Sequence, residues 1–197
     1  MTYTVVGTVP VRTLRVLWTL EELALPYDLV PAAPASQDAI RLTGTGKVPA
    51  LIEDGQNFTD SVAIITYLAD KHGRLTFPAG TQGRLAQDGH MGFVLEEFDA
   101  VLWSASKHSF VYPAEHRVPQ AKDSLKWEFQ RSLDRLEHRL GDQPFLMGDQ
   151  MTIADIVAVH CLNWSFVAKF PTAPQRLKDY SKRLRKRPAY RAAMSRA

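Results

Sequence analysis

Two short stretches of the sequence combine residue types that could bind a small polar ligand. Val48-Pro49 precedes a short apolar run, and Asp60-Ser61 stands where a helical pattern begins. A helix start carries free N–H groups and the positive end of the helix dipole, both of which favour an anionic group. Asp54-Gly55 lies between the two stretches and is a strong signal for a tight hairpin. We therefore interpret both stretches as facing the same small ligand.

The first 75 residues predict the elements that would position these stretches. Short runs rich in β-branched residues predict strands, and apolar residues at helical spacing predict helices. The first strand–helix–strand unit implies a parallel pair and the hairpin adds an antiparallel pair, giving a small mixed βαβαββα sheet with helices on both faces. The predicted strands cover residues 3–7, 27–30, 50–53 and 56–58, and the predicted helices cover residues 11–24, 36–43 and 60–71.

The second half of the chain carries helical patterns only. Thr152 and Asp155 have the spacing of a capping box, in which each side chain can accept the backbone N–H of the other residue. The fold class is therefore an α/β domain at residues 1–75 followed by an all-α helical bundle at residues 83–197. The helical patterns cover residues 84–107, 120–140, 152–166 and 174–195, the last of them interrupted near Pro188.

The composition is that of an ordinary globular protein. Of the 197 residues, 45% are hydrophobic and 23% are charged, and no apolar run approaches the roughly 18 residues that cross a bilayer. The chain does not open with a secretory signal, and a single cysteine suits a reducing cytosol. We therefore expect a cytoplasmic protein with no membrane partner.

The net charge of +3 reflects a basic run near the end of the chain. Such a run could contact nucleic acid, or it could be the solvated face of a helix. Leu177, Tyr180 and Leu184 recur inside it at helical spacing, which favours a packed helix and no nucleic-acid partner.

The six histidines lack the HExxH spacing, so we expect no metal. Cys161, which follows His160, is interpreted as a buried small apolar residue.

In this combination and order, the Val-Pro step, the Asp-Ser cap and the capping box make the chain resemble the cytosolic glutathione S-transferases, in particular theta-like, delta-like or bacterial members. The resemblance covers essentially the whole chain. It implies a thioredoxin-like glutathione-binding domain, a helical-bundle domain and a homodimer. The stretches that carry it are LEELALPY (20–27), GKVPAL (46–51), DSVAIITYL (60–68), MTIADI (151–156) and RPAYRAA (187–193).

The resemblance implies a glutathione site built from the two stretches described first. The Val48–Pro49 bond would be cis, and Val48 would present its backbone N–H and C=O to the extended tripeptide. Ser61 and the free N–H groups at the helix start would face the γ-glutamyl carboxylate, and Asp60 would pair with the γ-glutamyl ammonium. Lys47 would meet the glycyl carboxylate. The alternatives are a plain helix cap for Asp60 and Ser61 and a solvated loop charge for Lys47.

The resemblance also implies a hydroxyl donor to the glutathione sulfur near the end of the first strand. Thr8 falls on the serine of the family's Ser-x-Pro-x-Arg pattern, here Thr8-Val9-Pro10-Val11-Arg12. A hydrogen bond to sulfur would favour the nucleophilic thiolate. The alternative is a loop threonine bonded to its own backbone, with the sulfur held by main-chain N–H groups. Arg12 would either add positive field near the sulfur or pair structurally with a carboxylate.

The implied activity is a detoxifying transfer, in which glutathione is the co-substrate and its thiolate attacks a small apolar electrophile. The resemblance places the electrophile against the first long helices of the second half, where the candidate pocket residues are Trp103, His108, Phe110 and Tyr112. Two alternatives stay open. Glutathione-dependent reduction of peroxides or disulfides also needs only a bound thiolate, and the same fold serves as a non-catalytic binding module.

Overall fold

The computed structural model describes residues 2–196, which form two compact units. The first unit ends at Ala79 and also includes the segment that begins at Arg185, while the second unit is Gly80–Leu184. Within the described residues, no helix is both long enough and apolar enough to cross a membrane.

The first unit has the predicted βαβαββα order, so that prediction is confirmed. Its first helix is shorter than predicted, because the chain makes a wide turn over Val9–Thr13 in which Val11 is extended (φ −110°, ψ −165°). The elements are β1 (Tyr3–Val6), α1 (Leu14–Leu23), β2 (Tyr27–Val30), α2 (Gln37–Thr43), β3 (Ala50–Glu53), β4 (Gln56–Thr59) and α3 (Ser61–His72).

The four strands lie in the order β2-β1-β3-β4. Strand β1 is parallel to β2, and β3 is antiparallel to both of its neighbours, so the predicted parallel pair and hairpin are confirmed. Val6 lies opposite both Val30 and Ala50, and Ala50 also lies opposite Thr59. This register brings the ends of β1, β2 and β4 and the start of β3 together at one end of the sheet.

Glu53, at the far end of β3, joins the sheet to α3 through a carboxylate that is only 8% exposed. Lys71 forms an ion pair with one carboxylate oxygen, and the Tyr67 hydroxyl donates to the other at 2.6 Å. Because both donors favour the ionised form, the Lys71 ammonium and the Tyr67 hydroxyl hold the pKa of the Glu53 carboxyl below its usual range.

The second unit is helical, as predicted. The pattern over residues 84–107 predicted one continuous helix, but the π-helical turn Leu95–Ala100 interrupts it, and a second such turn, Lys107–Val111, follows. A π-helical turn has one residue more than an α-helical turn, which shifts the faces of the two flanking helices relative to each other. The helices are α4 (Gln82–Val94), α5 (Val101–Ser106), α6 (Ala121–Leu140), α7 (Ile153–Val167) and α8 (Gln175–Arg185).

Helix α7 begins with the predicted capping box, which is confirmed. The Asp155 carboxylate accepts the N–H of Thr152 at 2.8 Å and the N–H of Leu146 at 2.9 Å. The Tyr180 hydroxyl from α8 donates to the same carboxylate at 2.8 Å. Burial and the adjacent carboxylate raise the pKa of the Tyr180 phenol. The start of α7 is thus tied both to the loop before it and to α8.

Helix α8 carries much of the basic run. Leu177, Tyr180 and Leu184 are buried, while Lys178 and Lys182 are exposed. The predicted helix, with a packed apolar stripe and a solvated basic face, is therefore confirmed.

Helix α9 (Pro188–Met194) packs on α1. Arg187 donates to both Glu22 oxygens, at 2.5 and 2.7 Å, and the Trp18 indole donates to the same carboxylate at 3.0 Å. The rings of Trp18 and Tyr190 meet edge to face with centroids 4.9 Å apart. The sequence-based boundary assigned all of residues 83–197 to the helical domain, whereas these contacts group the last segment with the first unit.

Candidate functional site

Three segments of the first unit meet at one end of the sheet because of the strand register. Thr8 lies two residues beyond the end of β1, and Asp60 directly follows β4. Val48 and Pro49 directly precede β3. Since Val6, Ala50 and Thr59 are opposite one another, the residues that continue from these positions are close in space. The predicted Val48–Pro49 cis bond is present.

Thr8 lies in a turn that depends on the glycine before it. A Cβ on Gly7 would lie 2.2 Å from Thr13 Oγ1, so only glycine allows Thr13, at the end of the wide turn, to approach the chain after β1 this closely. The Gly7 N–H donates to the Val30 carbonyl at 3.1 Å. Thr8 itself is extended (φ −118°, ψ 146°), and its side chain makes no capping hydrogen bond to the following turn. The half-buried hydroxyl is therefore not used to cap the helix that follows.

Val48 contributes its backbone at the same end of the sheet. Its side chain packs against a small buried cluster that includes Val6, Ala32 and Ala50. Strand β3 begins only at Ala50, so the peptide groups of Val48 precede the paired part of the sheet. Packing fixes the side chain of Val48 while its main chain lies at the edge that Thr8 and Asp60 share.

Asp60 caps α3 in an unusual backbone conformation. Its φ of +76° and ψ of 117° are rare for a residue with a side chain, and such geometry costs about 1–3 kcal/mol and concentrates at functional sites. One oxygen, Oδ1, accepts the N–H groups of Val62 at 2.8 Å and Ala63 at 3.1 Å. The sequence interpretation left these N–H groups for a ligand carboxylate. In the structure the Asp60 side chain accepts both N–H groups. Of the groups that the resemblance assigned to a ligand carboxylate, Ser61 and the positive end of the helix dipole are left.

Ser61 is buried, at 3% exposure, and its hydroxyl oxygen accepts a hydrogen bond from Arg15 Nη1 at 3.4 Å. Arg15 lies on α1 and is only 1% exposed. A guanidinium donates and never accepts, so the bond from Arg15 leaves the Ser61 hydroxyl proton available for an acceptor. Sequence reasoning missed Arg15. The signal that could have found it is a cation in the otherwise apolar stretch that contains Leu14 and Val16.

Lys47 directly precedes Val48, and Arg12 lies in the wide turn that follows Thr8. Lys47 is exposed, and its N–H donates to Thr45 Oγ1 at 3.3 Å, so the loop fixes its backbone and leaves the side chain in solvent. Arg12 is half-buried in the turn before α1.

The candidate pocket residues of the second unit lie on α5 and the turn after it. His108 and Tyr112 contact each other with ring centroids 5.3 Å apart, and the Val118 N–H donates to His108 Nδ1 at 3.2 Å. Phe110 is 68% exposed and Trp103 is 37% exposed. The structure therefore brings His108 and Tyr112 together and leaves two large apolar side chains on the surface of this unit.

Two further features of the second unit were not predicted. A groove of about 330 Å³ is lined by residues of the π-helical turn Leu95–Ala100 and of α6, among them Glu97, Trp127 and Arg131. Separately, ligand atoms of Asp99, His160 and Cys161 all lie within 4.8 Å of one another. Within residues 2–196, this is the group whose donors are close enough to hold a metal ion.

Comparisons with known proteins agree with this architecture. A family model described as the glutathione S-transferase N-terminal domain matches residues 12–77, and one described as the glutathione S-transferase C-terminal domain matches residues 99–188. The two matches fall on the α/β and helical halves of the chain.

Three similar proteins illustrate the range of relatives. The disulfide-bond oxidoreductase YfcG of Escherichia coli (strain K12) is 29% identical, covering 90% of this chain and 87% of that protein. Glutathione S-transferase theta-2B of Homo sapiens is 29% identical over 67% of this chain and 56% of that protein. The solved structure of glutathione transferase URE2P6 from Phanerochaete chrysosporium, in complex with oxidised glutathione, matches at a TM-score of 0.77 and 25% identity, covering 98% of this chain and 95% of that chain.

Proposed function

Because the chain belongs to the glutathione S-transferase family, with a thioredoxin-like first domain and a helical second domain, we propose that it is a glutathione transferase acting on small apolar electrophiles. The observation that carries this proposal is the sheet register, which gathers Thr8, Val48 and Asp60 at one end of the sheet. The glutathione complex of a solved relative supports the choice of co-substrate.

Glutathione has two carboxylates, one ammonium and one thiol, and the shared edge offers a matching group for each. Asp60 uses only Oδ1 for its capping bonds, so Oδ2 receives the γ-glutamyl ammonium. Ser61, whose oxygen accepts from Arg15, donates its proton to the γ-glutamyl carboxylate. The main chain of Val48 pairs with the tripeptide as an added strand would, and Lys47 meets the glycyl carboxylate.

Thr8 supplies the hydroxyl donor to the sulfur. A hydrogen bond to a charged partner is worth roughly 1.5–3 kcal/mol, and one pKa unit corresponds to about 1.36 kcal/mol. The bound thiol pKa would therefore fall by about one to two units from its ordinary value near 8.5. Arg12 and the positive end of α1 add field of the same sign.

The reaction is a nucleophilic substitution or addition. With an aromatic halide, the sulfur lone pair forms the new C–S bond, the halide leaves with its bonding electrons, and the thiol proton passes to solvent. Trp103, His108, Phe110 and Tyr112 are the residues we assign to the electrophile. The exposed apolar surfaces of Trp103 and Phe110 suit an apolar substrate, and the His108–Tyr112 pair offers polar groups beside them.

The second candidate function is disulfide or peroxide reduction by glutathione. The similarity to YfcG, which spans most of both chains and is named as a disulfide-bond oxidoreductase, favours it. In that reaction two glutathione molecules supply two electrons, the disulfide or peroxide takes them up with two protons, and oxidised glutathione leaves. Both reactions need the same Thr8-bound thiolate and differ in the second substrate.

The assembly and location follow from the same proposal. We assign a homodimer, and the exposed Leu85 on α4 and Trp127 on α6, at 75% and 63% exposure, support association of two copies, because large exposed apolar side chains often mark interfaces. Light scattering on the wild type and on Leu85→Asp tests the dimer.

A reduced glutathione pool is maintained in the cytosol, and we assign the protein to that compartment.

Two measurements separate the candidate functions. The first is the ultraviolet difference spectrum on adding glutathione, in which a saturable thiolate band reports both binding and a lowered thiol pKa. The second compares turnover with chlorodinitrobenzene, cumene hydroperoxide and hydroxyethyl disulfide. Dominant activity on chlorodinitrobenzene supports the transferase. Dominant activity on cumene hydroperoxide or hydroxyethyl disulfide supports the reductase. A folded protein with neither band nor turnover would overturn both in favour of a binding module.

A further inference from the structure

Asp99, His160 and Cys161 bring an oxygen, a nitrogen and a sulfur donor together in the second unit. One ligand atom from each residue lies within 4.8 Å of the other two. The Cys161 thiol donates to Asp99 Oδ1 across 3.9 Å, although 62 positions separate the two residues. Cys161 is fully buried and His160 is 8% exposed. Asp99 is half-buried. The histidine and cysteine donors therefore lie in the interior of the helical unit, where polar side chains are uncommon.

The distance between the sulfur and the oxygen donor is close to what a tetrahedral zinc ion requires. A Zn–S bond is about 2.3 Å and Zn–N or Zn–O bonds are about 2.0–2.2 Å, so tetrahedral angles place sulfur roughly 3.5 Å from each of the other donors. The observed 3.9 Å between Cys161 Sγ and Asp99 Oδ1 would have to contract by only about 0.4 Å. The His160 nitrogen, within 4.8 Å of both, would have to move closer by at most about 1.3 Å to the sulfur and about 1.4 Å to the oxygen.

The elements that carry the donors are held in place by other contacts. His160 and Cys161 are on α7, whose first turn is fixed by the Asp155 hydrogen bonds to Leu146 and Thr152. Asp99 lies in the π-helical turn Leu95–Ala100, and such turns recur at functional sites. A cluster arranged in advance loses little further conformational entropy when a ligand binds.

We propose that Asp99, His160 and Cys161 bind one divalent cation of the zinc class, with water completing the coordination. A carboxylate, an imidazole and a thiolate suit a borderline-soft ion such as Zn²⁺, whereas Mg²⁺ and Ca²⁺ prefer oxygen ligands alone. On binding, the Cys161 S–H bond breaks and its proton passes to solvent. The sulfur lone pair then forms the metal–sulfur bond, and no group is oxidised or reduced. The site uses second-unit residues only and is independent of the proposed transferase activity.

The sequence pattern concealed this cluster. Zinc motifs are usually recognised from paired ligands at short regular spacings, but here two donors are adjacent and the third is far away along the chain. The expectation that the chain binds no metal rested on that missing spacing. Packing of α7 against the π-helical turn supplies the proximity instead.

Cobalt(II) is the probe for the test, because a cobalt–thiolate bond gives a near-ultraviolet charge-transfer band that imidazole and carboxylate ligands do not give. Cys161 is the only cysteine in the chain, so a band in the reduced, tag-free, full-length protein identifies its thiolate as a ligand. We expect the band to saturate at one cobalt per chain and to disappear when zinc displaces cobalt.

Matched variants complete the test. Cys161→Ala should abolish the band, and Asp99→Asn should weaken cobalt binding by more than the roughly 10–100-fold that changes outside the ligand shell cost. His138→Gln is the control, because His138 is an exposed histidine outside the cluster, and it should bind cobalt like the wild type. Circular dichroism verifies that each variant is folded. The metal-site proposal is overturned if the folded wild type shows no charge-transfer band in excess cobalt. It is also overturned if His138→Gln abolishes cobalt binding while Asp99→Asn preserves it.

Discussion

Thr8→Val tests the assignment of the sulfur donor with little disturbance of the chain. Valine keeps the β-branched shape and removes only the hydroxyl. The backbone at Thr8 is extended (φ −118°, ψ 146°), a conformation that β-branched residues favour. The hydroxyl makes no capping bond to the next turn. The substitution should therefore leave the free energy of unfolding nearly unchanged.

The expected effect on the thiol follows from the strength of one charged hydrogen bond. Losing roughly 1.5–3 kcal/mol of thiolate stabilisation raises the bound thiol pKa by about one to two units, back to about 8.5. At a pH near 6.5, the thiolate fraction then falls from roughly 10–50% to about 1%. Where thiolate attack limits turnover, the rate should fall by roughly 10- to 50-fold at that pH and much less near pH 9.

The assay is the thiolate difference band measured against pH, for the wild type, Thr8→Val and Thr4→Val. Thr4 undergoes the same chemical change within β1 and is half-buried like Thr8, so it controls for general effects on the strand. Isothermal titration with glutathione separates a change of affinity from a change of pKa. If the band of Thr8→Val titrates at the wild-type pH with unchanged glutathione affinity, main-chain N–H groups hold the sulfur and the argument for Thr8 fails.

Three further predictions concern the rest of the first unit. Asp60→Asn should keep the α3 cap but weaken glutathione binding, whereas Asp60→Ala should also lower the free energy of unfolding by about 1 kcal/mol. Calorimetry measures the glutathione affinity, and urea unfolding measures the stability. Equal glutathione binding by the wild type and Asp60→Asn would refute the ammonium contact. Arg15→Met should raise the glutathione dissociation constant about five-fold, the equivalent of one hydrogen bond of about 1 kcal/mol, and should be non-additive with Ser61→Ala in a double-mutant cycle. Glu53 has a depressed pKa when folded, so its stabilising contribution is present above its unfolded pKa of about 4.3 and is lost as the pH falls through the folded value. Urea unfolding of wild type and Glu53→Gln should therefore differ most at neutral pH and converge in acid, and a pH-independent difference would contradict the ion pair with Lys71.

The features that sequence predicted well are those that local chemistry determines. Ser36 accepts the N–H of Ala39 at 3.1 Å, and Asp60 and Asp155 close their own helix ends as their positions indicated. A cap or tight turn involves residues at most three or four positions apart, so its signal is complete within a short window. The parallel pair and the antiparallel hairpin then followed from the length and handedness of the connections.

The features that sequence missed depend on partners far apart along the chain. Arg15 and Ser61 are 46 positions apart, and Arg187 and Glu22 are 165 positions apart. Neither pair has a signature within a window of sequence, because each arises only when two helices pack. Sequence also missed the interruption of the long second-half helix at Leu95–Ala100 for a different reason, because the apolar pattern continues through the π-helical turn.

The packing of α9 on α1 also bears on the order in which the protein can fold during synthesis. Trp18 and Glu22 are made early, but Arg187 and Tyr190, which contact them, are made only after the whole of Gly80–Leu184. At about 5–20 residues per second, a ribosome needs roughly 5–20 seconds to translate that intervening stretch. Throughout that interval, α1 lacks its contacts with Arg187 and Tyr190. The nascent N-terminal unit can form its sheet during translation, but it completes its core only after the helical unit has been synthesised.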